Sequence, residues 1–408
     1  MYVACEQVFR PDLRKSPCIV LSNNDGCVVA ANRLAKEAGI KKFEPYFRQK
    51  KIIEQHRIQV FSSNYELYAD ISEKMMNVIA RYSQRSHVYS IDEIFLDLHN
   101  YSEVIPNLLK YGLIIRKAVW KECRLPVCFG AGDTLTLSKL ANRTAKVHKE
   151  LNGVCVIDTE SKRIEYLRQQ PVSEVWGIGR QLTKKMNWMG IHTAYDLACL
   201  SPKKARCCFN IEVERTVREL NGQSCKKWDE CKTDKQQIFS TRSVGTRITT
   251  IDQLKQALAF HAGIVSRKAR SQNSSCTFLT AFASNSPFDN LPQSYKGIHR
   301  FDHPTNCSSQ ITSAVTSIAN LLFRPEVEYY RVGVGLIELV NEKCSQKDFF
   351  AIPDNPVLMQ TLDKLNGRYG NGTVFLATQG TSQEWQMKRE FLSPMYTTKF
   401  KDLPKIQC

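Results

Sequence analysis

The spacing of hydrophobic positions changes several times along this chain, and each change marks an element. From Glu66 onward, Leu67, Ile71, Met75, Val78 and Tyr82 recur at helical spacing, which predicts an amphipathic helix. The run HVYSIDEIFLDL, 87–98, reads as β structure. A second helical pattern runs through Leu108, Tyr111, Ile115 and Val119, and the short strand-like LPVCFGAG follows at 125–132. A third helix carries Leu137, Leu140, Ala141 and Ala145 on one side, and GVCVI at 153–157 reads as another strand. Helices alternating with β segments predict an α/β sheet layer over about 65–160. Beyond it, 163–230 reads as helical and basic, and 231–240 as a polar linker. Strand and helix alternate again over 241–340, ending in YYRVGVGLIELV, and the tail 341–408 is weakly patterned and expected to be only partly ordered.

Composition narrows the class. With 408 residues, a prior of roughly 100–200 residues per domain gives two to four domains. Hydrophobic residues make up 42% and charged residues 24%, an ordinary globular balance. No apolar run approaches the roughly 18–20 residues of a membrane span, and MYVACEQVFR is no secretory signal, so a membrane or secreted protein is excluded. The 15 cysteines include no C-x-x-C pair. They read as reduced thiols of a cytoplasmic protein, without a disulfide framework or zinc site.

Charge is the first positive clue. The net charge is +17, and residues 101–300 hold 32 Lys and Arg against 17 Asp and Glu, so +15 of it lies there. Such a basic stretch is the footprint of a nucleic-acid binder, because phosphate contacts release counterions. A protein that merely runs basic is the plain alternative.

Asp92 and Glu93 sit in SIDE between apolar flanks. In a regular strand they point to opposite faces, so only a turn or bulge lets them converge. Converged, they suit Mg²⁺, a hard cation that keeps waters and phosphate oxygens as its other ligands. Many such pairs at hairpin turns are simply solvated. Lys139, Arg143 and Lys146 form a basic stripe on the third helix, and Arg33 with Lys36 a similar pair near the N-terminus. In WGIGRQLTKKMNWMGIHTAYDL, 176–197, Gly177 and Gly179 enter a helix. Backbone N–H groups there can grip phosphate without reading sequence, as in a helix-hairpin-helix. Gln346, Phe349 and Phe350, in QKDFF, read either as an aromatic anchor for a partner's pocket or as a buried pair.

SNNDGCVVA, FSSNYELYADIS, VYSIDEIFLDL, VWGIGR and WQMKREFLSPMYTT, in that order along the chain, resemble the UmuC group of Y-family translesion DNA polymerases. The resemblance implies an α/β multidomain right hand, with fingers at 1–65, palm at 66–162 and a helix-hairpin-helix thumb at 163–232. A little finger at 241–342 and a C-terminal tail at 343–408 with a clamp-binding motif complete it. It implies error-prone synthesis opposite damaged template in the SOS response, by Mg²⁺-assisted nucleotidyl transfer. Asp92 and Glu93 would be catalytic metal ligands. Tyr2 would exclude a ribose 2′-hydroxyl, and Arg33, Lys36 and Lys146 would lie along the incoming dNTP. Lys139, Gly177, Gly179, Arg242 and Arg247 would contact primed or damaged DNA, and Gln346, Phe349 and Phe350 the sliding clamp. A UmuD′ dimer and a RecA filament are the further implied partners.

One departure bears on activity. The family opens on a strand of the form D-x-N-x-F-Y-A-S-x-E, and Met1-Tyr2-Val3-Ala4-Cys5-Glu6 matches only its end. Two expectations follow. A start further upstream would restore the aspartate and an active polymerase. A chain beginning at Met1 would lack the first palm strand and be a DNA- and clamp-binding homologue with impaired catalysis. A metal-dependent nuclease is disfavoured, since no further carboxylate or histidine cluster accompanies SIDE.

Overall fold

The computed structural model describes residues 1–101, 103–228, 234–342, 355–381 and 385–403. The apolar residues collect into four clusters, each with its own elements.

Near the N-terminus, α1 (Tyr2–Phe9) is followed by β1 (Cys18–Leu21), β2 (Val28–Ala31), α2 (Arg33–Glu37), α3 (Tyr46–Gln55) and β3 (Gln59–Phe61). β1 is the middle strand, antiparallel to β2 and parallel to β3. All four residues of β1 are buried, the continuous apolar pattern of a strand covered on both faces. Ile19 and Leu21 pack with Val28, Ala35, Ile40, Ile53 and Ile58 on one face. Cys18 and Val20 turn the other way, into a cluster shared with α1 and the long helices α4 (Tyr65–Ala80) and α5 (Leu108–Cys123).

α4 realises the periodicity read in the sequence, burying Leu67, Ile71, Met75 and Val78. Asn64 caps it, accepting from the Leu67 N–H at 3.3 Å. β4 (Arg85–Ser90) and β5 (Glu93–Asp97) form an antiparallel hairpin. β6 (Phe129–Gly132) and β7 (Val154–Ile157) form a separate parallel pair, joined through α6 (Leu135–Val147). The two pairs share no ladder, so the predicted sheet layer is split between them. α6 lies directly on β6, where a Cβ on Gly130 would stand 2.1 Å from the Asn142 nitrogen. Glycine at that position brings the α6 stripe down onto the strand ends.

Next come α7 (Glu160–Gln169), α8 (Arg180–Trp188), α9 (Ala194–Ala198), α10 (Pro202–Cys208) and α11 (Ile211–Leu220), all-helical as predicted. Their core is Leu167, Ile178, Met186, Ile191, Leu197 and Leu220, continuous with Leu140 of α6.

The fourth unit is the sheet of β8 (Ile238–Ile248), β9 (Ser274–Ser284), β10 (Ser294–Thr305) and β11 (Tyr329–Asn341), ordered β10-β9-β11-β8 and antiparallel throughout. Helices α12 (Ile251–Ser271) and α13 (Ser308–Leu322) cover one face of it. The polar stretch read as a linker over 231–240 runs into β8 at Ile238, because an edge strand needs an apolar residue only at every second position.

The tail is more ordered than its pattern predicts. α14 (Pro356–Tyr369) packs on α12, with Arg270 paired to Asp363 at 2.7 Å. Residues 385–399 then run back as a strap from the fourth unit to the first. Trp385 is buried in the fourth core, edge-on to Phe260 at 5.4 Å. The Lys388 and Glu390 N–H groups donate to Asn24 and Asp25, and Tyr396 stacks on Phe9 at 4.5 Å. Irregular backbone of this kind has no periodicity for the sequence to show.

Candidate active site

The β4–β5 hairpin supplies the turn that the paired carboxylates require. Its register slips between Val88 and Ser90, and Ile91 and Asp92 form the turn. Ser72 of α4 pins it by donating to the Ile91 carbonyl at 2.5 Å, and Ser90 holds Asp92 Oδ1 at 2.9 Å. Both carboxylates are exposed, so their charge carries little desolvation cost.

Glu93 takes the ammonium of Lys139 from α6. That ammonium also lies 5.1 Å from the Tyr89 ring centre and 5.8 Å from that of Trp176. Trp176, just before the glycine hairpin, donates to the Tyr89 hydroxyl at 3.2 Å. The structure therefore places Lys139, expected at DNA, in an aromatic corner that joins the carboxylate hairpin to the helical unit.

Lys42 lies in the field of Asp92, with Lys36 and Lys146 as its charged neighbours. Lys42 has its ammonium pushed below the usual lysine range, first by burial and then by the charges of Lys36 and Lys146, with Asp92 opposing. The Tyr2 phenol is pushed up, by burial first and then by Tyr65 and Asp92. Lys42 is thus within electrostatic reach of Lys36, Lys146 and Asp92, and Tyr2 within reach of Asp92. Lys36 comes from α2, Lys42 from the loop before α3, and Lys146 from the last turn of α6. Lys42 was missed in the sequence. Its only local signal is the pair Lys41-Lys42, and the fold, not the spacing, turns it toward Asp92.

Tyr2 stacks on Tyr68 of α4, with centroids 4.9 Å apart and planes 16° apart, and meets Tyr65 edge-on at 5.8 Å. Its ring is half-buried, and Asp92 is among the groups whose charge it feels. Arg33 is placed differently: it is exposed and paired with Glu37 at 3.4 Å. Arg143 of the same stripe is also paired, to Glu174 at 3.0 Å.

The glycine hairpin has the expected backbone. Gly177 adopts φ +90°, Ile178 is buried as its anchor, and Gly179 precedes α8, which carries no side-chain cap. Before the hairpin stands a single 3₁₀ turn, Val172–Glu174, in place of a full first helix. Gly190, at φ +77°, and the Thr193–Asp196 capping box make the second turn.

On the four-stranded sheet, the face away from α12 and α13 carries no covering helix among the described residues. Register places Phe239, Phe278, Phe282, Lys296, Arg300 and Arg331 on it. The Arg300 and Arg331 guanidiniums each lie 5.8 Å from a phenylalanine ring centre, Phe278 and Phe282 respectively. These three cations were not singled out in the sequence. Of the two that were, Arg242 opposes the buried Val332 and so belongs to the helix-side face of the edge strand. Arg247 is held by Asp289 at 2.9 Å and over Tyr330. Gln346, Phe349 and Phe350 lie outside the described residues.

Among the described residues no group of three or more His, Cys, Asp or Glu could hold a metal ion. Two exposed hard oxygens at a turn, with lysines poised for phosphate, fit Mg²⁺ shared with a polyphosphate. Among the described residues, no helix is long and apolar enough to cross a membrane.

Comparison with known proteins agrees with this geometry. Residues 1–143 match the impB/mucB/samB family, 235–349 match the impB/mucB/samB family C-terminal domain, and 356–406 match a domain of unknown function, DUF4113. The protein UmuC of Salmonella typhimurium is 40% identical over 416 residues, covering 100% of this chain and 98% of that protein. ImpB of Salmonella typhimurium is 39% identical, covering 99% of this chain and 96% of that protein, and MucB of Escherichia coli 37%, covering 99% and 97%. Among solved structures, the Y-family DNA polymerase chimera Dbh-Dpo4(243-245)-Dbh superposes with a TM-score of 0.64 at 17% identity, covering 83% of this chain and 96% of that one. The insertion ternary complex of Dbh DNA polymerase gives 0.51 at 18%, with the same coverage. The chain belongs to the impB/mucB/samB family, is UmuC-like along its whole length, and has the fold of a Y-family DNA polymerase.

Proposed function

We propose that this chain is an error-prone translesion DNA polymerase that adds nucleotides opposite damaged template. The observation that carries the reading is the exposed carboxylate turn at Asp92 and Glu93, pinned by Ser72 and Ser90 and paired to Lys139, with Lys42 and Tyr2 both in the field of Asp92. In this reading the clusters around β1–β3, α4–α6, α7–α11 and β8–β11 are the fingers, palm, thumb and little finger.

Asp92 and Glu93 would hold Mg²⁺, which when bound lowers the charge barrier between the primer 3′-oxygen and the triphosphate. Lys36, Lys42 and Lys146 take the triphosphate and offset charge that builds up as pyrophosphate leaves. Burial and the neighbouring lysines disfavour the Lys42 ammonium, and a bound phosphate would offset that cost. Tyr2, supported from behind by Tyr68, fills the space where a ribose 2′-hydroxyl would stand. Lys139 must leave Glu93 for that carboxylate to take a cation, and the aromatic corner gives the ammonium a place to remain.

DNA is gripped without sequence reading, by the α8 glycine hairpin and by the basic, aromatic sheet face with Lys296, Arg300 and Arg331. That sheet face and the net charge of +17 support this. A sliding clamp taken through Gln346, Phe349 and Phe350, a UmuD′ dimer and a RecA filament are the partners of this reading, and its compartment is the cytoplasm.

A second reading, a DNA- and clamp-binding homologue with impaired catalysis, is favoured by one observation. The palm strands of that reading, β4–β5 and β6–β7, form two separate pairs instead of one sheet.

Primer extension on a damaged template with Mg²⁺ tests the first reading. Asp92→Ala and Glu93→Ala are each expected to lower extension by at least about 10²–10³-fold, with primed-DNA affinity nearly unchanged. Undiminished extension in both variants would remove the active-site assignment. Extension absent from the parent chain, with DNA still bound, would favour the second.

A further inference from the structure

We propose that the C-terminal strap is a positioning element for the Tyr2 ring, acting through Ser393, Glu6 and Tyr68. The proposal rests on the reading of Tyr2 as the residue that excludes a ribose 2′-hydroxyl.

Tyr2 and Glu6 lie one helical turn apart on α1, and both engage Tyr68. Tyr2 stacks on its ring, and Glu6 Oε1 accepts its hydroxyl at 2.6 Å. Tyr68 is fully buried, so the ring under Tyr2 is fixed by that bond and by packing. The same Glu6 oxygen accepts a second bond, from the Ser393 hydroxyl at 3.0 Å. Ser393 belongs to the strap, 387 residues from Glu6 along the chain. Asn64, the cap of α4, donates to the Ser393 hydroxyl at 3.0 Å and to its carbonyl at 3.2 Å. The Ser62 N–H donates to the Phe391 carbonyl at 2.9 Å, and the Phe391 N–H to the Ser62 hydroxyl at 3.0 Å. Upstream, the strap is anchored in the little finger, where Gly245 donates to the Trp385 carbonyl at 3.0 Å.

Glu6, Tyr68, Asn64 and Ser393 are all buried, and Glu6 Oε2 has no partner. A buried carboxyl held at one oxygen by two hydroxyls is sensitive to the loss of either. The strap thus ties the ring behind Tyr2 to the little finger, and the DUF4113 match over 356–406 gains a structural role at the nucleotide site.

The test is equilibrium binding of a dNTP and its matched rNTP to the full chain on primed DNA carrying a 3′-dideoxy end, which needs no turnover. Three variants are compared with the parent: Tyr2→Ala as control, Tyr68→Phe, which keeps the ring and loses the hydroxyl, and Ser393→Ala. The proposal expects Tyr2→Ala to erase the preference for dNTP. Tyr68→Phe and Ser393→Ala should each shrink it several-fold through tighter rNTP binding, with dNTP affinity held within about twofold. Ser393→Thr, which keeps a hydroxyl, should restore the preference, a rescue that general loosening of the fold would not give. If Tyr2→Ala erases the preference and neither Tyr68→Phe nor Ser393→Ala changes it, the positioning role is overturned while the reading of Tyr2 stands. A preference that survives Tyr2→Ala overturns that reading and the proposal with it.

Discussion

Two carboxylate sites near Tyr2 are built in opposite ways. Asp92 and Glu93 stand exposed at a hairpin turn, with a serine and one lysine as their partners. Glu6 is 1% exposed and takes two hydroxyls at a single oxygen. Exposed charges exchange one partner for another at little cost, which is what a cation site needs. The buried carboxyl is tied to its surroundings, which is what a scaffold needs. Burial, more than residue type, separates chemistry from architecture here.

The contrast is largest in stability. Glu6→Ala leaves two buried hydroxyls without their acceptor and is expected to cost about 2–4 kcal/mol, read from urea unfolding. Glu93→Ala removes only an exposed ion pair, worth at most about 1 kcal/mol. Equal costs would erase the distinction.

Lys42 sharpens the substrate side. Lys42→Ala is expected to weaken dNTP binding by about tenfold or more, since a charge-assisted phosphate contact is lost. Arg33→Ala, whose partner is Glu37, should change it by less than about twofold. A reversed order would put the triphosphate on the wrong side of α2.

pH probes the buried site. Burial raises Glu6 above its ordinary carboxyl value of 4.5, against the two hydrogen bonds it accepts. The folded state then binds the proton more tightly than the unfolded one, so this group's stabilisation is present at low pH. It falls as pH rises from the ordinary value through the raised one. The stability of the parent minus that of Glu6→Gln should therefore decline as pH rises above 4.5 and then level off. A difference that grows with pH would contradict the burial argument.

The smallest effect concerns DNA. Arg300→Ala should lower the slope of log affinity against log salt by about 1, as for one lost phosphate contact. Arg247→Ala should lower it less, because Asp289 already holds that guanidinium.

The elements were legible because they depend on local periodicity, and the turn at Ile91 and Asp92 was expected only as the condition for two neighbouring carboxylates to converge. The α6 stripe shows where legibility ended. Lys139, Arg143 and Lys146 look alike in sequence, yet one meets Glu93, one Glu174, and one the neighbourhood of Lys42. The partner that decides the fate of Lys139 lies 46 residues away. The strap was harder still. SNNDGCVVA and WQMKREFLSPMYTT carried the resemblance separately, and nothing in either announces that Asn24 and Asp25 accept from Lys388 and Glu390. Arg242 and Arg247 were read as two DNA contacts, but alternation along β8 and the partner Asp289 send them elsewhere, while the open-face cations arise from register among four strands. Register is a tertiary property that one strand alone does not show.

The most direct measurement is Mg²⁺-dependent primer extension by the parent chain beside Asp92→Ala, with primed-DNA affinity measured on both. The account predicts extension by the parent, its loss in the variant, and equal DNA binding. Equal extension by both would contradict the assignment of Asp92, and a parent that binds DNA without extending a primer would contradict the polymerase reading itself.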